Sequence, residues 1–538
     1  MRARPLLRQL ATGLLALSAA LLISTLPALA QKRGGTLRLY QLDNPPSTSL
    51  HEESTITSVT PFSGVYNNLV MFDPFKPHES LDTIVPDLAE SWQWDATNTK
   101  LTFKLRRGVT WHDGKPFTAK DVQCTWRMLI GKGEAAAEFR RNPRAVWWAR
   151  LQDVSINGDD EATFELSQPQ PSLLVLLASA FAPVYPCHVP QQTMRTRPVG
   201  TGPFKFAEFK RGDSIRLTRN PDYFKKDRPY LDGITFKIIE SQATRLLAFQ
   251  AGEFDVTFPS DVHVPLFKDM LARAPTAVCR MAPTGTLTTL LVNRLKEPFD
   301  KAEIRDAVSL AIDRNAMNTI LLEGKGLIGG AMLPKPAGEW GMPKEMLESL
   351  PGYGPDMAKN RAEARAIMQK LGYGESKPLK LKIQTRNLVT YRNPAVLMID
   401  QLKKIYIDAE LEILDSTQWY ARLTKKDYTL ALNGMGVAVD DPDGNIVENY
   451  ACGSERNYTQ YCDAKVDKLL SDQSREMDRD KRKTIVWEIE KFLVEDTARP
   501  VIQFVVAGNC WQNYVKNYVP HDNSQYNYLR YEEVWLDR

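Results

Sequence analysis

Short runs of alternating apolar and polar side chains recur along the chain. In Leu101-Thr-Phe-Lys-Leu-Arg106, Leu101, Phe103 and Leu105 share one face, as a half-buried strand requires. A similar run follows Gly34-Gly35, another lies near 234–239, and further strands are predicted over 287–293, 379–384 and 410–414. Helical spacing fills the intervals. Thr118 and Asp121 form a capping-box pattern ahead of Val122, Trp126 and Leu129. Further helices are predicted over 245–251, 301–315, 357–371, 393–405 and 464–472, with Gly252 and Gly372 as stops. Strands alternating with helices indicate an α/β protein. No short-period repeat and no Pro/Gly/Ser tether divides the chain, so any lobes are joined by ordinary chain crossings.

The first thirty residues break this pattern. Arg2, Arg4 and Arg8 precede an apolar stretch over 10–26, and Ala28-Leu29-Ala30 ends it with small residues. This is the layout of a cleaved export signal, with Gln31 as the new N-terminus. The apolar run is too short for the roughly 20 residues of a membrane span, and Pro27 ends it. A periplasmic product is expected. Removing this segment also changes the charge. The whole chain carries 69 Lys and Arg against 65 Asp and Glu; the remainder carries 66 against 65. Such a balance gives no global electrostatic reason to bind nucleic acid.

Catalytic signatures are missing. The chain has no GxSxG, HExxH, GxGxxG or GxxxxGK[ST] motif. The six histidines are scattered, and His112 falls in a Trp-His-Asp-Gly turn where a polar residue needs no further explanation. His51-Glu-Glu53 offers possible metal ligands, but a polar loop accounts for it better. Asp440-Asp-Pro-Asp-Gly-Asn445 fails as a calcium loop, because the required Gly and Glu fall on Ile446 and Cys452. Neither a cofactor nor a metal is expected. Cys124 reads as a small buried apolar residue, and no CxxC pair exists. Cys452 and Cys462 flank a polar loop that can close easily. Aromatic residues abound at loop positions, including Tyr66, Trp147, Trp148, Trp340, Trp419 and Tyr420. Most read as core, and some could line a cleft for a small solute.

Longer motifs carry more. Val85-Pro-Asp-Leu-Ala-Glu-Ser-Trp-Gln-Trp94 leads into Leu101-Thr-Phe-Lys-Leu-Arg-Arg-Gly-Val-Thr-Trp-His-Asp-Gly-Lys-Pro-Phe-Thr-Ala-Lys-Asp-Val122. Val199-Gly-Thr-Gly-Pro-Phe204, Asn220-Pro-Asp-Tyr-Phe224, Pro229-Tyr-Leu-Asp-Gly233, Ala251-Gly-Glu-Phe-Asp255 and the stretch 299–314 follow in order. This series resembles the peptide/nickel family (family 5) of extracytoplasmic solute-binding proteins that serve ABC importers. The resemblance implies a two-lobed periplasmic-binding fold of the large oligopeptide-receptor type. Lobe I would comprise 31–281 and 507–538, with a subdomain inserted at about 62–180; lobe II would comprise 282–506. Crossings near Met281 and Val506 would form the hinge. The expected partners are a peptide or similarly sized solute and the transmembrane subunits of a permease, with the receptor a monomer. The competing possibilities are a receptor for a non-peptide solute such as an opine, oligosaccharide or metal chelate, and an exported hydrolase with an unrecognised acid pair.

The resemblance also implies a site. Lobe I would offer the 48–51 loop with Ser49 and His51, together with Tyr66, Trp147 and Trp148. Lobe II would offer Arg386, Tyr391, Arg392, Trp419 and the loop containing Met435, Gly436, Val437, Ala438 and Asp440. Peptide receptors of this family commonly place an Asp four residues before the loop's Pro, where it pairs with the ligand's α-amino group. Here that position is Ala438, and Met435 stands where an aromatic is usual. Free peptides are therefore expected to bind weakly, unless Asp440 or Asp441 takes the anchor role. The family also places paired cysteines in the 452–462 loop, which implies a Cys452–Cys462 disulfide.

Overall fold

The computed structural model describes residues 31–538, so the expected cleavage after Ala30 lies outside the described residues. The molecule has two lobes. In the first, Thr36–Gln41 pairs in parallel with Gly233–Ile238, which continues antiparallel to Ser214–Arg219 and then Phe204–Lys210. A second four-stranded sheet runs in the order Ala89–Trp94, Lys100–Leu105, Glu161–Leu166, Leu151–Ile156. Leu101, Phe103 and Leu105 are buried as their alternation predicts. They share a core with Trp126 of the helix Ala119–Leu129. That helix starts at the expected box, with Asp121 accepting from the Thr118 N–H at 2.9 Å.

Turn residues fasten this lobe together. The His112 ring accepts from the Gly200 N–H at its Nδ1 (3.3 Å), so its Nε2 donates to the Gly202 carbonyl at 3.0 Å. A Cβ at position 200 would stand 1.8 Å from the Val65 carbonyl oxygen, which explains the glycine in that motif.

A six-stranded mixed sheet organises the second lobe and reaches back into the first. Its order is Val262–His263, Val501–Gln512, Ala277–Val292, Leu430–Gly436, Leu379–Arg386, Ile407–Leu414. The last two are parallel, joined over the sheet by the helix Val389–Lys403, a right-sized βαβ crossover. Leu290, Ile304, Val308, Met368, Ile383 and Leu402 fill the core between sheet and helices.

The strands Ala277–Val292 and Val501–Gln512 pair with each other over most of their length. Their register holds from Ala277 to Pro283, shifts, and resumes at Leu287 opposite Phe504. The strand expected to begin at 287 thus begins ten residues earlier. Pro283 and Gly285 interrupt the alternation of the first half and disguise it as a turn. The helix expected over 301–315 is likewise two, Ala302–Ala311 and Arg314–Leu322, with the Asp313 carboxylate accepting from the Ala316 N–H at 2.9 Å. The helix expected from 393 starts at Val389 and takes Pro394 into its interior.

Three disulfides are present: Cys124–Cys187, Cys279–Cys510 and the expected Cys452–Cys462. Cys124 is therefore a half-cystine and not the free apolar residue that its helical surroundings suggest. Its partner lies 63 residues away, beyond the reach of local patterning. No helix among the described residues is long and apolar enough to cross a membrane.

Candidate functional site

A cleft of about 860 Å³ opens between the lobes. Asp43, Thr55, Ser241 and Ser260 contribute from the first lobe, and Thr284, Thr286 and Thr288 from the paired strands between them. The second lobe contributes the stretch 386–392 and Gly434. Arg386 ends its parallel strand and the helix Val389–Lys403 begins three residues later. Crevices beyond the carboxyl ends of parallel strands are the usual ligand sites of open α/β sheets.

Within this wall the Arg386 guanidinium lies 5.4 Å from the Tyr391 ring and 5.2 Å from the Tyr420 ring, and it donates to the Tyr420 hydroxyl at 3.4 Å. Burial works against the Arg386 charge, but Tyr420, Tyr391 and Asp43 leave its pKa above the ordinary value. Arg392 donates to the Asn387 side chain at 3.3 Å. Glycines let the strand Leu430–Gly436 carry aromatic neighbours at contact. A Cβ at 434 would meet the Tyr391 ring at 2.6 Å, and one at 436 would meet the Tyr526 hydroxyl at 2.0 Å.

Arg386, Tyr391 and Arg392 thus line the cleft. The other expected residues do not line it. Ser49 accepts from the Tyr185 hydroxyl at 3.3 Å, and Tyr66 stacks on Tyr185 and donates to the Thr48 carbonyl at 3.0 Å. His51 faces the Pro183 carbonyl at 2.7 Å, and burial lowers its pKa to about 4, so the ring is neutral. Glu52 pairs with Arg195 and Glu53 accepts from Ser47, so this trio points to separate partners. Trp148 packs edge-on against Trp126, and Trp419 is buried with Leu291, Leu414 and Leu423 in the second lobe.

The loop after Gly436 turns toward the first lobe. Met435 is buried with Leu287, Leu333 and Phe504, and the Val437 N–H donates to the Gly285 carbonyl at 2.8 Å. Ala438 joins the first lobe's core, and its carbonyl accepts from the Asn527 amide at 2.9 Å. Asp440 accepts from the Glu339 N–H at 3.0 Å and lines a separate cavity of about 120 Å³ with His78, Glu79 and Arg479. Burial raises its pKa to about 7. Asp441 holds Arg482 with two bonds of 2.8 Å. Its neighbour Asp443 accepts from Ser172 of the first lobe at 2.5 Å and from Gln473 at 2.6 Å.

One cluster is absent from the expected residues. Arg144 of the first lobe sits 3.4 Å over the Phe181 ring and 5.4 Å from the Trp147 ring. Its Nε lies 3.5 Å from one oxygen of Glu448, whose other oxygen contacts Arg456. Arg499 donates to the neutral Thr289 and Asn449 side chains at 3.1 and 3.0 Å. Burial lowers the Arg144 pKa to about 10. It also works against Arg456, where Glu448 more than restores the charge. Arg144 and Glu448 are 304 positions apart, the one just before the short helical turn Ala145–Trp148 and the other opening the helix Glu448–Tyr450, so only the fold brings them together.

Paired lobes, a cleft between them and two strands joining them define a solute-binding protein. The model of the bacterial extracellular solute-binding proteins, family 5, matches residues 83–457, and the chain belongs to that family. A probable di/tripeptide-binding protein of Pseudomonas aeruginosa is 24% identical over 493 residues, covering 86% of this chain and 88% of that protein. The Helicobacter pylori periplasmic binding protein DppA, in complex with the peptide STSA, superposes with a TM-score of 0.82 at 21% identity over 94% of this chain and 99% of that one. AgaA of A. tumefaciens R10, in complex with agropinic acid, gives 0.79 at 22% identity, over 94% and 99%.

Proposed function

We propose that the protein is the periplasmic receptor of an ABC importer, taking a solute into the interlobe cleft and passing it unchanged to permease subunits. The observation that carries this reading is the cleft itself, whose walls come from both lobes and from the strands that join them. Its volume suits a short peptide or a solute of similar size. Closure is favoured only by a ligand that touches both walls. In this reading the lobes are 31–281 with 507–538, and 282–506, and the register shift after Pro283 absorbs the hinge motion.

Neither a peptide nor a conjugate is chosen by the fold, since one similar structure holds STSA and another agropinic acid. The residues of this chain argue against a free peptide amine. Ala438 offers no charge, Asp441 is held by Arg482, and Asp440 lines the smaller cavity. An ammonium buried without a partner costs several kcal/mol. Blocked or cyclic peptides, opine-like conjugates and oligosaccharides fit better. Calorimetry against a di- to pentapeptide library is expected to show little heat. Micromolar binding that disappears on N-acetylation would restore the ordinary peptide reading. Small-angle scattering that shows no contraction with a bound solute would remove the closure mechanism.

A further inference from the structure

The smaller cavity between the lobes has no part in the receptor reading. It holds about 120 Å³ and shares no lining residue with the large cleft. The first lobe supplies Phe72 and Val175, both buried, and Leu81, which is 51% exposed. The second supplies the buried Trp340 and Met477, which is 50% exposed. An exposed apolar side chain standing alone needs no explanation. Two from opposite lobes at one cavity make a shared apolar rim.

The polar wall is acidic. Five carboxylates and two arginines line the cavity, together with His78. Each of these bases is already held: Arg479 by Glu339, Arg482 by Asp441 at 2.8 Å, and His78 by Asp522 at 2.9 Å. Asp440 has no such partner. One of its oxygens accepts from the Glu339 N–H at 3.0 Å, and the other, Oδ1, is buried and makes no hydrogen bond. Asn523 acts on this carboxylate only weakly, from outside hydrogen-bond geometry. A buried acceptor left without a donor is costly, and more so when it carries charge. A metal ion does not suit the place, because among the described residues no three carboxylate, histidine or cysteine groups are set to hold one.

We infer that this cavity is an accessory site for a small organic cation, whose ammonium donates to Asp440 Oδ1 while its hydrocarbon lies against Phe72, Val175, Trp340 and Met477. Cavities of about 150 Å³ take benzene, so an occupant of about five heavy atoms fits and a dipeptide does not. Such an occupant touches both lobes and favours the arrangement in which they meet. A solute in the large cleft that favours the same arrangement then raises the affinity of the small cation, and the reverse holds equally. The site stands without the receptor reading; only this coupling rests on it.

The probe is n-butylammonium, with n-butanol and butyrate as its neutral and anionic counterparts. Calorimetric titrations of the mature protein are run at about pH 8, where the Asp440 carboxylate is charged. Butylammonium is expected to bind about 10-fold tighter than butanol, and Asp440→Asn is expected to remove that preference. Butyrate is expected not to bind. Equal binding of butylammonium and butanol would leave an apolar crevice and overturn the cation site. So would a preference that survives Asp440→Asn, or no binding of butylammonium to the wild type. A wild-type crystal soaked in butylammonium gives a second readout that does not depend on the variant's folding. The probe's nitrogen within hydrogen-bond distance of Asp440 Oδ1 supports the site, and an empty cavity or a probe bound elsewhere overturns it.

Discussion

The two lobes meet through two buried polar clusters that differ in charge balance. At one, Asp441 and Asp443 face Arg482, with Ser172, Gln473 and Ser474 filling the remaining acceptor positions. Arg150 acts on Asp443 from a greater distance, so the acids and bases offset one another. At the other, Arg144, Arg456 and Arg499 share one Glu448. Both clusters are equally dry, so burial does not separate them. Completeness does. A satisfied network fixes one arrangement of the lobes, whereas an incomplete one leaves room in the energy balance for an incoming group.

Cutting into the balanced cluster has the largest expected effect. Asp441→Ala leaves the Arg482 charge buried without its bidentate partner, and a loss of about 3–5 kcal/mol is expected in denaturant titration. A loss below about 1 kcal/mol would show that water reaches Arg482 and would erase the distinction between the clusters. A smaller loss, about 1–3 kcal/mol, is expected for Gly436→Ala, whose new methyl must displace the Tyr526 ring. Because the same strand lines the cleft at Gly434, solute binding should fall further than stability does, as calorimetry set beside the melting curve would show. An equal fall in both would assign Tyr526 to packing alone.

The smallest effect concerns pH at the edge of the balanced cluster. Burial raises Asp440 to about 7 from an ordinary 3.8, so the folded protein keeps a proton that the unfolded chain releases. The group therefore stabilises the fold fully below about pH 4, and this contribution is lost as pH rises to about 7. Asp440→Asn should flatten the stability profile between these values. An unchanged slope would place the titration elsewhere.

Patterning along the chain revealed several of the second lobe's helices, and the family resemblance pointed to three of the residues that line the cleft. Arg386, Tyr391 and Arg392 were legible because one strand end and one helix start, adjacent in sequence, present them to the cleft. The 48–51 loop and the tryptophans were expected there because aromatics and polar loops look alike whether they face a ligand or a core. Their hydrogen bonds to Met194, Pro183 and Gln170 carbonyls or side chains decide for the interior. Arg144 and Glu448 were illegible for the opposite reason. Arg144 stands in an arginine-rich stretch that reads as solvated surface and Glu448 is a single acid in a mostly uncharged segment, and only long-range folding removes the water from both.

The Cys279–Cys510 bond carries a mechanical consequence. It joins the two crossing strands at directly opposed positions, on the first-lobe side of the register shift. Below the shift the strands are a single covalently laced ribbon that cannot shear. Above it, Leu287 lies opposite Phe504, which the proposed division assigns to the second lobe. In the proposed motion the lobes then lose the freedom to slide or separate, and keep one torsional freedom across the few residues from Pro283 to Leu287. The path between open and closed becomes a single coordinate, so a solute delivered to a membrane partner is released along the same route by which it was caught.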